Sequence, residues 1–162
     1  MNVFTIDNLN RQGFGDLDDE EKSRYAWSLR FSPGIAAIII MVGLVLQSPI
    51  IIGAMALVAL SGALFPRGMF FDLIYNIGVR HILNAPPLPA TPIPRRFSYL
   101  LSTSLLTGSA LSFLFGLNVL GIVLGAMVAI GASILTTTLW CLGSWYYNLF
   151  FRNHSKGPDI TK

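Results

Sequence analysis

The sequence predicts an all-α membrane protein. Its four transmembrane helices form two tight hairpins, joined by a cytoplasmic amphipathic helix and a Pro-rich linker. Three observations carry this. The 162 residues are 53% hydrophobic and 12% charged, against about 25% charged in soluble domains. One soluble core of this length cannot hide so much apolar surface. Four apolar runs, near 31–47, 49–65, 97–117 and 119–147, hold no Asp, Glu, Lys, Arg or His. All 11 Lys and Arg residues fall in residues 1–30, the central stretch 66–96 or the C-terminal tail, and the turns within each pair of runs carry none. The positive-inside rule then places both termini and the central stretch on the cytoplasmic side. An even number of crossings is what lets one face collect every cation.

Residues 1–24 are a polar arm with Asp16, Asp18, Asp19, Glu20 and Glu21 in a cluster. The arm reads as a solvated, disordered segment or as the start of a short helix. In the second reading Asp16 or Asp18 caps the helix and acids fill its first turn. Lys22, Arg24 and Arg30 lie towards its end, an order that suits the helix dipole. The cluster also suits docking of a basic partner. Residues 25–151 then form a single four-helix membrane domain, opened by Tyr25, Trp27 and Phe31 as an interfacial anchor. No small-residue cleavage site follows the first run, so the first helix is expected to act as its own uncleaved insertion signal. Pro33 lies near the first turn of that run, where proline is tolerated. Gln47-Ser48-Pro49 separates runs one and two, and Pro66 stops run two. Both runs are slightly shorter than the roughly 20 residues a span needs. Run one can extend back into residues 25–30.

The segment 68–84 reads as an interfacial helix. Asp72, Asn76, Arg80 and Asn84 recur every four residues on one face, and Phe70, Phe71, Ile74, Ile77 and Ile82 crowd the other. That pattern suits a helix lying in the headgroup plane. Residues 85–94 (APPLPATPIP) cannot be helical and form a stiff, extended linker. Run four, at 1.5 Å per residue, is roughly 43 Å long. It must tilt or emerge from the hydrocarbon core. Trp140, Trp145, Tyr146 and Tyr147 form an aromatic belt at the inner face, and residues 152–162 are a cytoplasmic tail. Ser104, Gly108, Ser112 and Gly116 repeat every four residues in run three, as do Gly121, Gly125, Ala129 and Ser133 in run four. Small residues at this spacing let helix backbones approach closely in lipid. These faces pack against each other or against a second copy.

The apolar runs lack the ionisable groups that mark proton relays, which argues against a proton-coupled transporter. No phosphate loop, HExxH or paired-carboxylate motif occurs, so no catalytic residue, metal or cofactor is assigned. Basic residues flank apolar runs and form no water-exposed patch, which excludes nucleic acid as a partner. Arg67, Arg80, His81, Arg95 and Arg96 form either a cytoplasmic anion or lipid-headgroup site or topology determinants that snorkel to headgroups. Cys141 is the lone cysteine, so no intrachain disulfide forms. It is either a reactive thiol, which needs a lowered pKa and access to water, or a packed small residue.

The order GMFFDLIYNIGVRHILNAPPLP, then PRRFSYLL, then WCLGSWYYNLFF resembles the bacterial membrane family labelled domain of unknown function 4395, over roughly residues 25–151. The resemblance implies a small multi-pass protein of the bacterial inner membrane with no assigned activity. It also implies an association, in some members, with thioredoxin-like or sulfur-handling proteins. Many members close on a Cys-x-x-Cys pair followed by an aromatic residue. Here Cys141 matches the first position and Ser144 replaces the second, which removes the dithiol. Arg95-Arg96 before Phe97 also matches. The expectation is a non-enzymatic scaffold, anchor or accessory subunit of a membrane complex, contacting lipid and either a protein partner or a second copy. The alternatives are a redox or sulfur-relay component using Cys141 with a thiol partner, and a small permease or channel subunit.

Overall fold

The computed structural model describes residues 3–14, 18–65, 70–80, 90–147 and 149–150, and these are helical without a strand. The helices are α1 (Val3–Leu9), α2 (Asp19–Val45), α3 (Pro49–Leu64), α4 (Phe70–Ile74), α5 (Ile93–Leu114), α6 (Asn118–Thr138) and α7 (Leu142–Tyr147). Wider π turns extend α1 over Asn10–Phe14 and α4 over Tyr75–Val79. Three helices are long and apolar enough to cross a membrane: α2 through Ser28–Val45, α5 and α6. The fourth apolar helix, α3, has 16 residues. At 1.5 Å per residue that is about 24 Å, short of a typical hydrocarbon core.

Several boundaries differ from the sequence expectation. Asp19, Glu20 and Glu21 and the first apolar run form one helix, with acids in its first turn, where they suit the helix dipole. Pro33 therefore lies inside α2, not in a first turn. The proline-rich linker ends earlier than residue 94. Helix α5 starts at Ile93 with Pro94 in its first turn, where a missing N–H costs no helical bond. Residues 81–89, which hold the end of the expected interfacial helix and most of the linker, lie outside the described residues. Run four is two helices. Leu139 turns left-handed (φ 53) and ends α6, and α7 restarts at Leu142. The expected excess length is thereby folded away. Gly116 does not continue the small-residue face of α5: it sits in the turn after it at φ 75, a conformation that glycine adopts without a Cβ clash.

Helix α2 packs on α3 and α6, and α5 packs on α3 and α6, closing a ring of four. Its core includes Ile40, Ile52, Met55, Leu106, Phe113 and Val128. Ile38, Leu57, Leu111 and Ile130 are exposed on the outside, which gives the ring an apolar outer surface. The stripe on α6 is consumed inside the chain. A Cβ on Gly121 would lie 2.8 Å from the Phe113 ring, and one on Gly125 would lie 3.0 Å from Ser109 Oγ. Ala129 is buried, and Ser133 is half-buried and bonded to the Ala129 carbonyl. The run-three hydroxyls mostly serve their own helix: Ser104 bonds Leu100 O and Ser112 bonds Gly108 O. Ser109 is different, donating across to Gly121 O at 2.6 Å.

Helix ends are closed by side chains. Ser48 precedes α3 and accepts the Ile51 N–H, with Pro49 in the first position. At the other end of α3, Arg96 donates from Nε to Ala63 O (2.9 Å) and from Nη2 to Leu64 O (3.0 Å). A cation here satisfies orphan carbonyls and opposes the negative end of the helix dipole. Arg96→Ala is expected to cost about 1–2 kcal/mol, because charge-assisted bonds of this kind are lost. The lowered melting temperature of the detergent-purified protein checks this.

Candidate functional site

One end of the ring gathers the arm, α4, the start of α5, the end of α6 and α7. Asn8 donates Nδ2–H to Thr138 O at 3.1 Å, and Gln12 donates Nε2–H to Leu139 O. The arm thus caps the left-handed end of α6. Segment α4 docks through Phe71 and Tyr75, which are one helical turn apart and buried, while Phe70, Ile74 and Ile77 are exposed. Tyr75 OH lies 2.5 Å from Ser28 Oγ, and Ser32 donates to Asp72 Oδ1. The expected polar face is therefore partly turned inwards, since Asp72 is bound to α2.

Arg95 is the least expected feature, at 3% exposure. Pro33 explains its place. Proline has no N–H, so the carbonyl four residues earlier, Leu29, loses its helical donor. Arg95 Nη2 donates to Leu29 O at 3.5 Å. The guanidinium also lies 6.0 Å from the ring centroids of both Phe14 and Tyr99, within reach of a cation–π attraction. Its Nε has no hydrogen-bond partner. Tyr99, Asp72 and Cys141 are its electrostatic neighbours.

Beside this cluster a cavity of about 210 Å³ opens between the four long helices. Its wall is apolar along Ile40, Met55, Leu105, Met127, Val128 and Leu135, and it becomes polar towards Ser98, Tyr99 and Cys141. Leu101, Met127 and Leu142 line it and are also exposed on the outer surface, so the cavity has a lateral rim. Cys141 is buried, and its Sγ lies 3.0 Å from Ser98 Oγ. Helix α7 is held there by close contact, since a Cβ on Gly143 would lie 2.7 Å from Ser98 Cα.

The five basic residues do not gather into one described pocket. Arg95 is buried, Arg96 closes α3 and Arg80 is half-buried after α4. Arg67 and His81 lie outside the described residues. Sequence reading missed Tyr99 and Asp72 as neighbours of Arg95, and Tyr75 and Gln12 as residues that tie α4 and the arm to the ring. A signal for Tyr99 existed. Positions 95, 98, 99 and 102 share one face of a helix, and that face carries Arg, Ser, Tyr and Ser.

No curated protein and no solved structure matches the chain. The model of the family described as Domain of unknown function (DUF4395) matches residues 26–152, and the chain belongs to that family.

Proposed function

We propose that the chain crosses a bacterial inner membrane four times and serves as a non-enzymatic accessory protein. In this reading its central cavity takes up a small apolar molecule from the lipid. The cavity carries the reading: an apolar wall, a lateral rim at Leu101, Met127 and Leu142, and polar groups at one end only. Its volume exceeds the ~150 Å³ of an engineered apolar cavity that admits benzene. The crossing number is supported by the gathering of the arm, α4 and the end of α6 at one end of the ring. Helix α3 must then traverse the same thickness as its longer neighbours, with the bilayer thinning slightly around it. Among the described residues, Lys22, Arg30, Arg80, Arg95 and Arg96 lie in the segments that meet at that end, which the positive-inside rule assigns to the cytoplasm.

Photo-crosslinking tests the cavity. A long-chain alcohol carrying a diazirine is expected to label Leu105, Met127 or Leu135 in membranes. Gly131 lines the cavity, and no atom lies within 4 Å of where its Cβ would be. Gly131→Phe is therefore expected to fill the space and abolish the labelling. Labelling confined to the outer surface, or unchanged in Gly131→Phe, overturns the reading.

A second reading, a thiol component acting through Cys141, is favoured by the place of Cys141 among the residues that line the cavity. A partner reaching it through the rim is small and lipid-soluble. Cys141 is expected to react with neutral, membrane-permeant methyl methanethiosulfonate well before the sulfonated methanethiosulfonate of the same reactive group. Equal rates with both reagents count against this access route, and an unchanged phenotype for Cys141→Ser removes the thiol role.

A further inference from the structure

We propose that the polar end of the cavity receives the anionic head of a single-chain amphiphile, with Arg95 as its counter-charge and the apolar wall holding its chain. The inference rests on the cavity reading and names the class of molecule that fits it. Three observations carry it.

The first is that Arg95 is buried with its bonding capacity unfilled. It makes one long contact to Leu29 O and a side-chain interaction with the Tyr99 hydroxyl, and Nε has no well-formed hydrogen bond. A buried guanidinium has five donors to place, and leaving a buried charge unpaired is costly. Asp72 acts on it through space but is itself held by Ser32, and no ion pair joins the two. The second is position. Arg95 does not itself line the cavity but shares a helix face with Ser98, Tyr99 and Ser102, which do, and lies against the Tyr99 ring. It lies one turn further towards the membrane surface, where a headgroup belongs. The third is the chemistry of the end wall. Ser98 and Tyr99 bring hydroxyls to it: Ser98 Oγ is shared between Pro94 O and Cys141 Sγ, and the Tyr99 hydroxyl interacts with the Arg95 guanidinium without a well-aligned hydrogen bond. A carboxylate or phosphate monoester takes several such donors at once. A neutral apolar molecule would leave them as they are.

The test compares a diazirine-bearing fatty acid with the matching fatty alcohol, in nanodiscs of neutral lipid above the acid's pKa. The acid is expected to label the cavity at a concentration about tenfold or more below that needed for the alcohol, as a charge-assisted bond implies. Arg95→Gln is expected to erase the difference, Arg95→Lys to keep most of it, and Arg96→Gln to leave it intact. The comparison in the unmodified protein stands even where Arg95→Gln fails to fold. Equal labelling by acid and alcohol overturns the headgroup assignment and leaves the cavity reading standing, with Arg95 serving only the Leu29 carbonyl. No cavity labelling by either overturns both. Inorganic phosphate in excess is expected to leave acid labelling unchanged. Displacement by phosphate overturns the amphiphile in favour of a free anion taken from water.

Discussion

Gly143→Val is expected to release α7 from α5 and expose Cys141. The Cβ of any residue at 143 would lie 2.7 Å from Ser98 Cα, which is backbone and cannot swing aside. Overpacking typically costs about 1–3 kcal/mol when side chains can yield, so this site belongs at or above the top of that range. Helix α7 has only six residues, too few to persist without its packing partner. The Ser98–Cys141 contact goes with it. The rate of labelling of Cys141 by a charged thiol reagent measures the release. It is expected to rise sharply in Gly143→Val, with a lower melting temperature. Gly131→Ala, where a Cβ meets nothing within 4 Å, is expected to leave both unchanged. An unaltered labelling rate in Gly143→Val shows that α7 does not guard the thiol.

Gly125→Leu is expected to break the ring where α2, α5 and α6 meet. A Cβ there would stand 2.5 Å from Leu44 Cδ2 and 3.0 Å from Ser109 Oγ. Leu44 is a flexible side chain, but Ser109 is completely buried and spends its hydroxyl on Gly121 O. Widening this seam separates backbones whose close approach is what favours association in lipid. The expected loss is about 3 kcal/mol, read as a reduced yield of monodisperse protein and a lower melting temperature. Leu44→Ala in the same chain makes room and is expected to restore part of the loss. Pairs in direct contact are where such non-additivity is found. Strict additivity of the two substitutions contradicts the seam.

The long apolar helices were legible because lipid imposes one rule, that backbone groups pair within the segment, and side chains then need only be apolar. The break between the first two apolar helices was equally plain in Gln47-Ser48-Pro49, where composition interrupts the runs. The polar end was not legible. Its contacts join residues far apart in sequence, such as Gln12 with Leu139 and Ser32 with Asp72, and no local period encodes them. Arg95 illustrates the difficulty. Beside Arg96 it reads as half of a surface pair, yet the helix turns the two in different directions, one to the end of α3 and one into the interior. The link through Pro33 was available in principle, because a proline inside a helix always frees the carbonyl four residues back. It stayed hidden because the helix begins at Asp19, which moves Pro33 from a first turn to an interior. Likewise, Leu139 carries no sign of a left-handed residue. Tertiary contacts from Asn8 and Gln12 hold a conformation that leucine alone disfavours by about 1–2 kcal/mol.

The proposed four-crossing arrangement is tested most directly by side-specific labelling. Single cysteines are placed at the exposed positions Asp18, Gln47, Ala90 and Asn118 in a Cys141→Ser chain, and an impermeant maleimide is applied to intact and then to opened cells. Positions 47 and 118 are expected to react from outside, and positions 18 and 90 only after the cells are opened. Reaction of positions 18 and 90 from opposite sides of the membrane would mean that α3 does not cross, and the account would be wrong at its base.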